Sequence, residues 1–260
     1  MEVIISKTYD AMCKEAAEIV AQIVNTKPDA VLGLATGSTP LGLYKELARM
    51  HREEGLDFAQ VTTFNLDEYV GLHPNHEQSY HYFMNENFFK HVNIPSRNIH
   101  IPSGTTSNYA AFCEWYEQRI EDCGGIDVQI LGIGSDGHIA FNEPTSSLGS
   151  RTRIKTLAKQ TIDDNARFFA KASDVPVYAI TMGVGTILEA RKLVLMANGK
   201  KKATAVAQAV EGPVTSMCTA SALQLHEDAT VFIDEDCASE LKMVDYYKWI
   251  QANMPGAPKK

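Results

Sequence analysis

Short apolar or β-branched runs alternate with longer amphipathic stretches along almost the whole chain of 260 residues. The runs typical of strands are EVIIS, AVLGLA, VTTFNLD, VQILGIG, VYAITMG, KLVLMAN and ATVFID. Helical spacing predicts helices at 9–26, from Pro40 onward, and at 78–91, 108–122, 160–170, 200–211 and 236–252. Such alternation indicates an α/β fold whose doubly wound, mostly parallel sheet is covered by helices on both faces. We expect a single domain over residues 1–252, followed by a polar C-terminal tail at 253–260.

Charge and cysteine content exclude several classes of protein. The net charge of −8 argues against nucleic-acid binding, which calls for a basic face. The five cysteines are widely spaced and form no C-x-x-C pair, which argues against a disulfide framework or structural zinc. The N-terminus lacks the features of a signal peptide, and no window reaches about 18 uninterrupted apolar residues. We therefore expect a cytoplasmic protein without a membrane partner.

Four polar clusters follow predicted strands, at the sheet edge where α/β proteins bind ligands. The first is GLATGSTPLG at residues 33–42, where a strand, a turn of small residues and a helix follow one another. Backbone N–H groups at such a helix start favour an anion such as phosphate. The alternative is a plain turn in which Ser38 or Thr39 caps the helix. A Walker P-loop is excluded because no G-K-[ST] follows the glycines.

The second cluster is FNLDEYVGL at residues 64–72, in which Asp67 and Glu68 have apolar neighbours. A carboxylate in such surroundings can have its pKa raised toward the range that proton transfer requires. The alternative is a surface turn or a helix cap.

The third cluster is LGIGSDGHIAFNEP at residues 131–144, which contains a G-x-G-x-x-G sequence. A dinucleotide site is disfavoured, because His, Asn and Pro occupy the expected helix and the later acidic residue is replaced by RTRIKTL. The sequence signal for a metal site is weak, since H-x-x-x-x-E is not the helical H-E-x-x-H pair. An acid/base relay fits better, because Asp136 and His138 point the same way in extended chain and Glu143 can fold back. The alternative is a structural histidine held by its neighbouring aspartate.

The fourth cluster, SSLGSRTRIKTL at residues 146–157, places Arg153 and Lys155 on one face of an extended segment. Such a cationic face suits phosphate, and a solvated charged strand is the equal alternative. Further cations follow at Arg167 and at Lys200–Lys202. Lysines at a helix start oppose the helix dipole, which points to a shared anion there.

These motifs, in their order and spacing, resemble those of the glucosamine-6-phosphate deaminases from about residue 2 to about residue 242. The segments that match are GLATGSTPLGLY, TFNLDEYVGL, GIGSDGHIAFNEP, SSLGSRTRIKTL, NARFF, MGVGTILEA and AVEG. The resemblance implies a Rossmann-like fold and conversion of glucosamine 6-phosphate and water to fructose 6-phosphate and ammonia, without cofactor or catalytic metal. Lactonases and sugar-phosphate sensors share the fold, but we do not expect them to carry both FNLDEYVGL and DGHIAFNEP.

The resemblance also implies roles for individual residues. Asp67 would move a proton between C2 and C1 of the opened sugar. His138 would open the ring, oriented by Asp136 and Glu143. The substrate phosphate would be held by Thr36, Gly37, Ser38, Thr39, Arg167 and Lys202.

Some relatives are hexamers activated by N-acetylglucosamine 6-phosphate, which implies a homo-oligomer here. The residues that match their activator site are Ser146, Arg153 and Lys155. An aromatic residue expected near the C-terminus is replaced by Lys248, so the match is imperfect. We further expect residues 153–182 to form a lid over the substrate.

Overall fold

A computed structural model describes residues 1–169 and 171–254. Residues 255–260 of the predicted tail lie outside the described residues. In the part that is described, none of the helices combines the length and the apolar character that crossing a bilayer requires.

The described residues form ten strands in two sheets. The strands are β1 (Glu2–Ser6), β2 (Val31–Leu34), β3 (Thr62–Asn65), β4 (Asp67–Tyr69), β5 (Ile99–His100), β6 (Val128–Leu131), β7 (Arg153–Thr156), β8 (Tyr178–Thr181), β9 (Lys192–Ala197) and β10 (Ala229–Asp234). Seven of them form a parallel sheet in the order β1-β10-β9-β6-β2-β3-β5. These strands are almost entirely buried, as expected for a sheet covered on both faces.

Within residues 1–169 and 171–254, eight α-helices connect or flank the strands. They are α1 (Tyr9–Thr26), α2 (Leu41–Glu54), α3 (Tyr80–Asn87), α4 (Tyr109–Asp122), α5 (Lys159–Asn165), α6 (Val184–Leu188), α7 (Ala203–Glu211) and α8 (Val244–Ala252). Side chains cap three of them: Thr8, Ser79 and Asn108 each accept a hydrogen bond from a backbone N–H in the first turn.

The order of the parallel strands defines where a ligand can enter. After β2 the chain moves on to its neighbour β3, whereas after β6 it returns along the sheet to β9 on the other side. Because parallel crossovers are right-handed, these opposite directions place the helices of the two halves on opposite faces. The loops that follow β2 and β6 therefore diverge and leave a crevice between them. Two of the predicted polar clusters lie in these loops.

The strand predicted in the run at 177–183 is present, but it does not join the parallel sheet. This strand, β8, lies in a separate antiparallel sheet of order β4-β8-β7. Periodicity alone cannot distinguish the two sheets, because an apolar run suits any buried strand. Tyr69, Phe141, Leu157 and Ala179 form a small second core at this sheet.

Two details of the helices also differ from the sequence prediction. Several predicted helices end or begin in short 3-10 turns, as at Ala166–Phe168, Lys200–Lys202 and Cys237–Glu240. Neither Ser38 nor Thr39 caps α2, which begins at Leu41 after Pro40. Tertiary contacts hold this loop, because the Tyr9 hydroxyl donates to the Ser38 and Thr39 carbonyls and accepts from Gly42 N.

Candidate active site

The crevice between the β2 and β6 loops contains a cavity of about 570 Å³. Residues from both halves of the sheet and from α5 line it. Among them are Thr36, Gly37, Ser38, Thr39, Asp67, His138, Arg167 and Lys202. One space therefore brings together the predicted phosphate-binding residues and two of the four predicted proton-transfer residues.

The loop after β2 lines this cavity with residues 36–39. Gly37 adopts a φ of 98°, a left-handed conformation that a residue with a side chain adopts only with strain. Among the described residues, none accepts a hydrogen bond from the backbone N–H groups of residues 36–39. Unpaired N–H groups at a helix start favour a bound anion.

Three cations, Arg167, Lys201 and Lys202, line the same cavity. Lys202 is largely enclosed, and burial lowers the pKa of its ammonium, although Asp164 and Asp136 act in the opposite direction. Arg167 is exposed at the rim. A desolvated lysine that lines the same cavity as unpaired N–H groups is suited to bind a phosphate dianion.

Asp67 faces the cavity from β4, where it pairs with Thr181 of β8. Asp67 is only 6% exposed, and no group among the described residues donates a hydrogen bond to its carboxylate. Burial, and then the neighbouring Glu68 carboxylate, raises the pKa of Asp67 well above its usual range. This unpaired carboxylate is therefore a stronger base than an ordinary aspartate.

Glu68 lies next to Asp67 in the chain, but alternation along β4 turns its side chain away from the cavity. Its carboxylate accepts hydrogen bonds from the backbone N–H groups of Tyr69, Tyr80 and His81, at 2.8, 3.0 and 3.1 Å. The Nδ1 atom of His81 lies 3.0 Å from Oε2 of Glu68. Glu68 thus holds the start of α3 in place.

The loop after β6 brings Asp136, His138 and Glu143 together, as predicted. The Oδ1 atom of Asp136 lies 2.7 Å from Nδ1 of His138, and Oε2 of Glu143 lies 3.6 Å from the same nitrogen. Burial opposes ionisation of Asp136, but the contact with His138 outweighs it and lowers the pKa of Asp136. With both carboxylates at Nδ1, Nε2 is the nitrogen left for a ligand.

Close packing and backbone strain maintain this loop. A Cβ atom at Gly134 would lie 2.4 Å from Nδ1 of His138, so only glycine allows the imidazole to pack there. Ala140 and Thr145 adopt positive φ angles of 50° and 76°. Such strain persists where surrounding contacts enforce it, and here Thr219 accepts from Ile139 N and donates to the Asn142 carbonyl.

The same three side chains are close enough to share a metal ion, since one ligand atom from each lies within 4.8 Å of the others. An imidazole nitrogen that lies beside two carboxylates is equally the arrangement of an acid/base relay. The geometry permits both uses, and removal of metal ions by a chelator distinguishes them.

The other predicted residues lie elsewhere. Arg153 and Lys155 share a face of β7, and burial lowers the pKa of Arg153. Arg153 lines a separate groove of about 1070 Å³ beside α4, while Ser146 is buried with its hydroxyl unpaired among the described residues.

Sequence reasoning missed several cavity residues: Tyr80, Phe141, Gln160, Thr161, Asp164 and Asn165. The ring of Tyr80 stacks on Phe141 and lies 5.0 Å from the ring of Tyr69. In the sequence, the aromatic helix that contains Tyr80 resembles an ordinary core helix. The polar residues of α5 show no distinguishing pattern. Only the tertiary structure, in which α5 packs beside the cavity, identifies its polar residues as part of the site.

The family model for glucosamine-6-phosphate isomerases and 6-phosphogluconolactonases matches residues 6–232. The chain belongs to this family. It is 54% identical over 251 residues to a glucosamine-6-phosphate deaminase of Cellvibrio japonicus, covering 96% of this chain and 95% of the relative. It is 53% identical over 239 residues to that of Thermoanaerobacter sp. (strain X514), covering 92% and 94%.

Solved structures of the family confirm the Rossmann-like, doubly wound fold. A monomeric glucosamine-6-phosphate deaminase superposes with a TM-score of 0.90 at 46% identity, covering 92% of this chain and 99% of that one. A 6-phosphogluconolactonase from Trypanosoma brucei superposes with a TM-score of 0.74 at 20% identity, covering 92% and 98%. The second likeness concerns the fold alone.

Proposed function

We propose that this protein converts glucosamine 6-phosphate and water into fructose 6-phosphate and ammonia. The observation that carries the proposal is the pairing, in one cavity, of an unpaired buried carboxylate with an imidazole flanked by two carboxylates. The named relatives are deaminases at about half identity over nearly their full length.

The reaction begins with ring opening, which needs a group that both donates and accepts a proton near neutral pH. Imidazole has an ordinary pKa of about 6.5 and suits this task. His138 presents Nε2 to the substrate, while Asp136 and Glu143 orient the ring and stabilise the imidazolium formed during transfer. The loop at residues 36–39, Arg167 and Lys202 hold the phosphate.

Isomerisation then requires one base that reaches two adjacent carbons. Asp67 removes the C2 proton of the open chain and returns it to C1, so the base is regenerated. The resulting C2 imine adds water and releases ammonia, which yields the ketose. Each positioned proton transfer is typically worth about 10²–10⁴-fold in rate.

Ammonia release from glucosamine 6-phosphate by wild type and by Asp67→Asn tests the proposal. Wild type is expected to release ammonia, and the variant to lose nearly all activity. A wild type that releases none, and instead hydrolyses a 6-phosphogluconolactone, would identify a lactonase, for which Asp67 has no role. Full activity in Asp67→Asn would refute the assigned proton shuttle.

We further propose that the protein is a cytoplasmic homo-oligomer activated by N-acetylglucosamine 6-phosphate. Ser146, Arg153 and Lys155 would bind this activator. The shared cationic face of β7 supports a phosphate contact, whereas one structural relative is a monomer. Substrate-saturation curves with and without the activator, together with the mass from light scattering, provide the test. A monomer with hyperbolic curves that the activator leaves unchanged would refute the proposal.

A further inference from the structure

The two oxygens of the Glu143 carboxylate have different surroundings. Oε1 accepts a hydrogen bond from the Thr161 hydroxyl at 2.7 Å and another from Ala158 N at 3.1 Å. Oε2 is buried, makes no hydrogen bond within the described part of the chain, and lies 3.6 Å from Nδ1 of His138. Both donors on one oxygen fix the rotation of the carboxylate and leave the other oxygen directed at the imidazole.

Both donors belong to the start of α5, the helix that lines one side of the cavity with Gln160, Thr161, Asp164 and Asn165. A second contact ties α5 to the same loop, since the Ser135 hydroxyl donates to Asp164 at 3.3 Å. The position of α5 and the orientation of Glu143 are therefore linked through short contacts.

We propose that Thr161 is a positioning residue, whose hydroxyl holds Glu143 so that Oε2 stabilises the imidazolium of His138 during ring opening. This role rests on the proposed function. A buried oxygen without a competing donor interacts strongly with a charge that develops beside it, because burial removes the pair from bulk solvent. Thr161 thus couples the position of α5 to the orientation of the relay.

Thr161→Val removes the hydroxyl with little change of shape, and Thr161→Ser retains it. We expect kcat for ammonia release to fall roughly tenfold in Thr161→Val, with KM nearly unchanged. A tenfold change in rate is about 1.4 kcal/mol, close to what one hydrogen bond to a charged group contributes. Thr161→Ser should restore most of the rate. Thr161→Ala serves as a second variant without the hydroxyl, and thermal unfolding reports whether each protein folds.

Thr63→Val is a matched control, because Thr63 is fully buried on β3 and its hydroxyl makes no hydrogen bond among the described residues. It should keep the wild-type kcat. The decisive comparison is a double-mutant cycle with Glu143→Gln. If Thr161 acts through Glu143, Thr161→Val should cause no further loss of kcat in that background.

A wild-type kcat in folded Thr161→Val would overturn the positioning role. So would an equal loss of kcat in Thr161→Ser, or a loss of kcat from Thr161→Val that is just as large when Glu143→Gln is already present. Absence of ammonia release from wild type is a different outcome, because it refutes the proposed function itself.

Discussion

Asp67 and His138 face the same cavity in opposite surroundings. Asp67 is buried, and none of the described groups donates a hydrogen bond to it. His138, by contrast, has two carboxylates within 3.6 Å of one ring nitrogen. The difference indicates two separate requirements: a base that serves two carbons must be free of fixed partners, whereas a group that serves one ring oxygen must be held in one orientation.

The same contrast recurs within two residues of β4. Asp67 has no hydrogen-bond donor among the described residues, while Glu68 accepts three backbone hydrogen bonds and contacts His81. Strand alternation sends one carboxylate into the cavity and the other onto the start of α3. Of these two neighbouring acidic residues, Asp67 is thus placed for proton transfer and Glu68 supports the start of α3.

The largest expected effect is on the rate of the two proton-transfer steps. Asp67→Asn and His138→Gln should each lower kcat/KM about 10²–10⁴-fold, because each removes a positioned acid or base. Only His138→Gln should recover activity with an open-chain substrate analogue, since that analogue bypasses ring opening. Steady-state kinetics with cyclic and open-chain substrates would show this, and equal losses on both would remove ring opening from the role of His138.

The next effect concerns stability and has opposite signs at the two β4 carboxylates. The folded protein raises the pKa of Asp67, so its ionisation destabilises the fold as pH rises above the ordinary carboxylate range. Asp67→Asn should therefore stabilise the protein at pH 7, by roughly 1–3 kcal/mol. Glu68→Gln should destabilise it by a similar amount, roughly 1–3 kcal/mol, because an amide nitrogen cannot accept hydrogen bonds from the α3 backbone.

Urea denaturation of both variants at pH 7 measures these changes. The stabilisation by Asp67→Asn should disappear at a pH where the wild-type carboxyl is protonated. Destabilisation by Asp67→Asn at neutral pH would contradict the view that this carboxylate is kept unpaired for catalysis.

A smaller effect is expected in the pH dependence of activity. Because Asp67 must be ionised to act as a base, kcat/KM should fall as pH drops through its raised pKa. The decline should therefore begin above the range near pH 4 that is ordinary for aspartate. Rate profiles in constant-ionic-strength buffers provide the measurement, and an acid limb at the ordinary value would place Asp67 outside the rate-limiting proton transfer.

The smallest expected effect is that of metal removal. If Asp136, His138 and Glu143 act as a relay, dialysis against a chelator should leave kcat unchanged within error. Added Zn²⁺ should not raise it. Loss of activity on chelation, restored by a divalent ion, would instead assign these three residues to a metal site. His138 would then be a metal ligand, and the comparison of a base without partners with an oriented imidazole would not hold.

Much of the site could be predicted because its chemistry is concentrated in short segments. Asp67 follows a strand directly, and the relay residues occur within eight positions, so strand endings and residue types were enough. Tyr80 and Thr161 could not be predicted in the same way. Thr161 bonds Glu143 from 18 positions away, and that pairing depends on where α5 docks.

The fold likewise has features that local sequence patterns predict and others that depend on tertiary contacts. Periodicity predicted most strands and helices, since burial on both faces leaves continuous apolar runs. It did not separate the parallel sheet from the β4-β8-β7 sheet, because hydrogen bonding between distant strands determines the partner of each run.

Local patterns in the chain thus determined its α/β class, the positions of its polar clusters and the residue types needed for proton transfer. Tertiary structure alone decided that Asp67 would be desolvated, that both relay carboxylates would share one nitrogen, and that α5 would support Glu143. The physical reason is that pKa shifts and hydrogen-bond geometry depend on distances of a few ångströms. Residues far apart in the chain set those distances only when they pack.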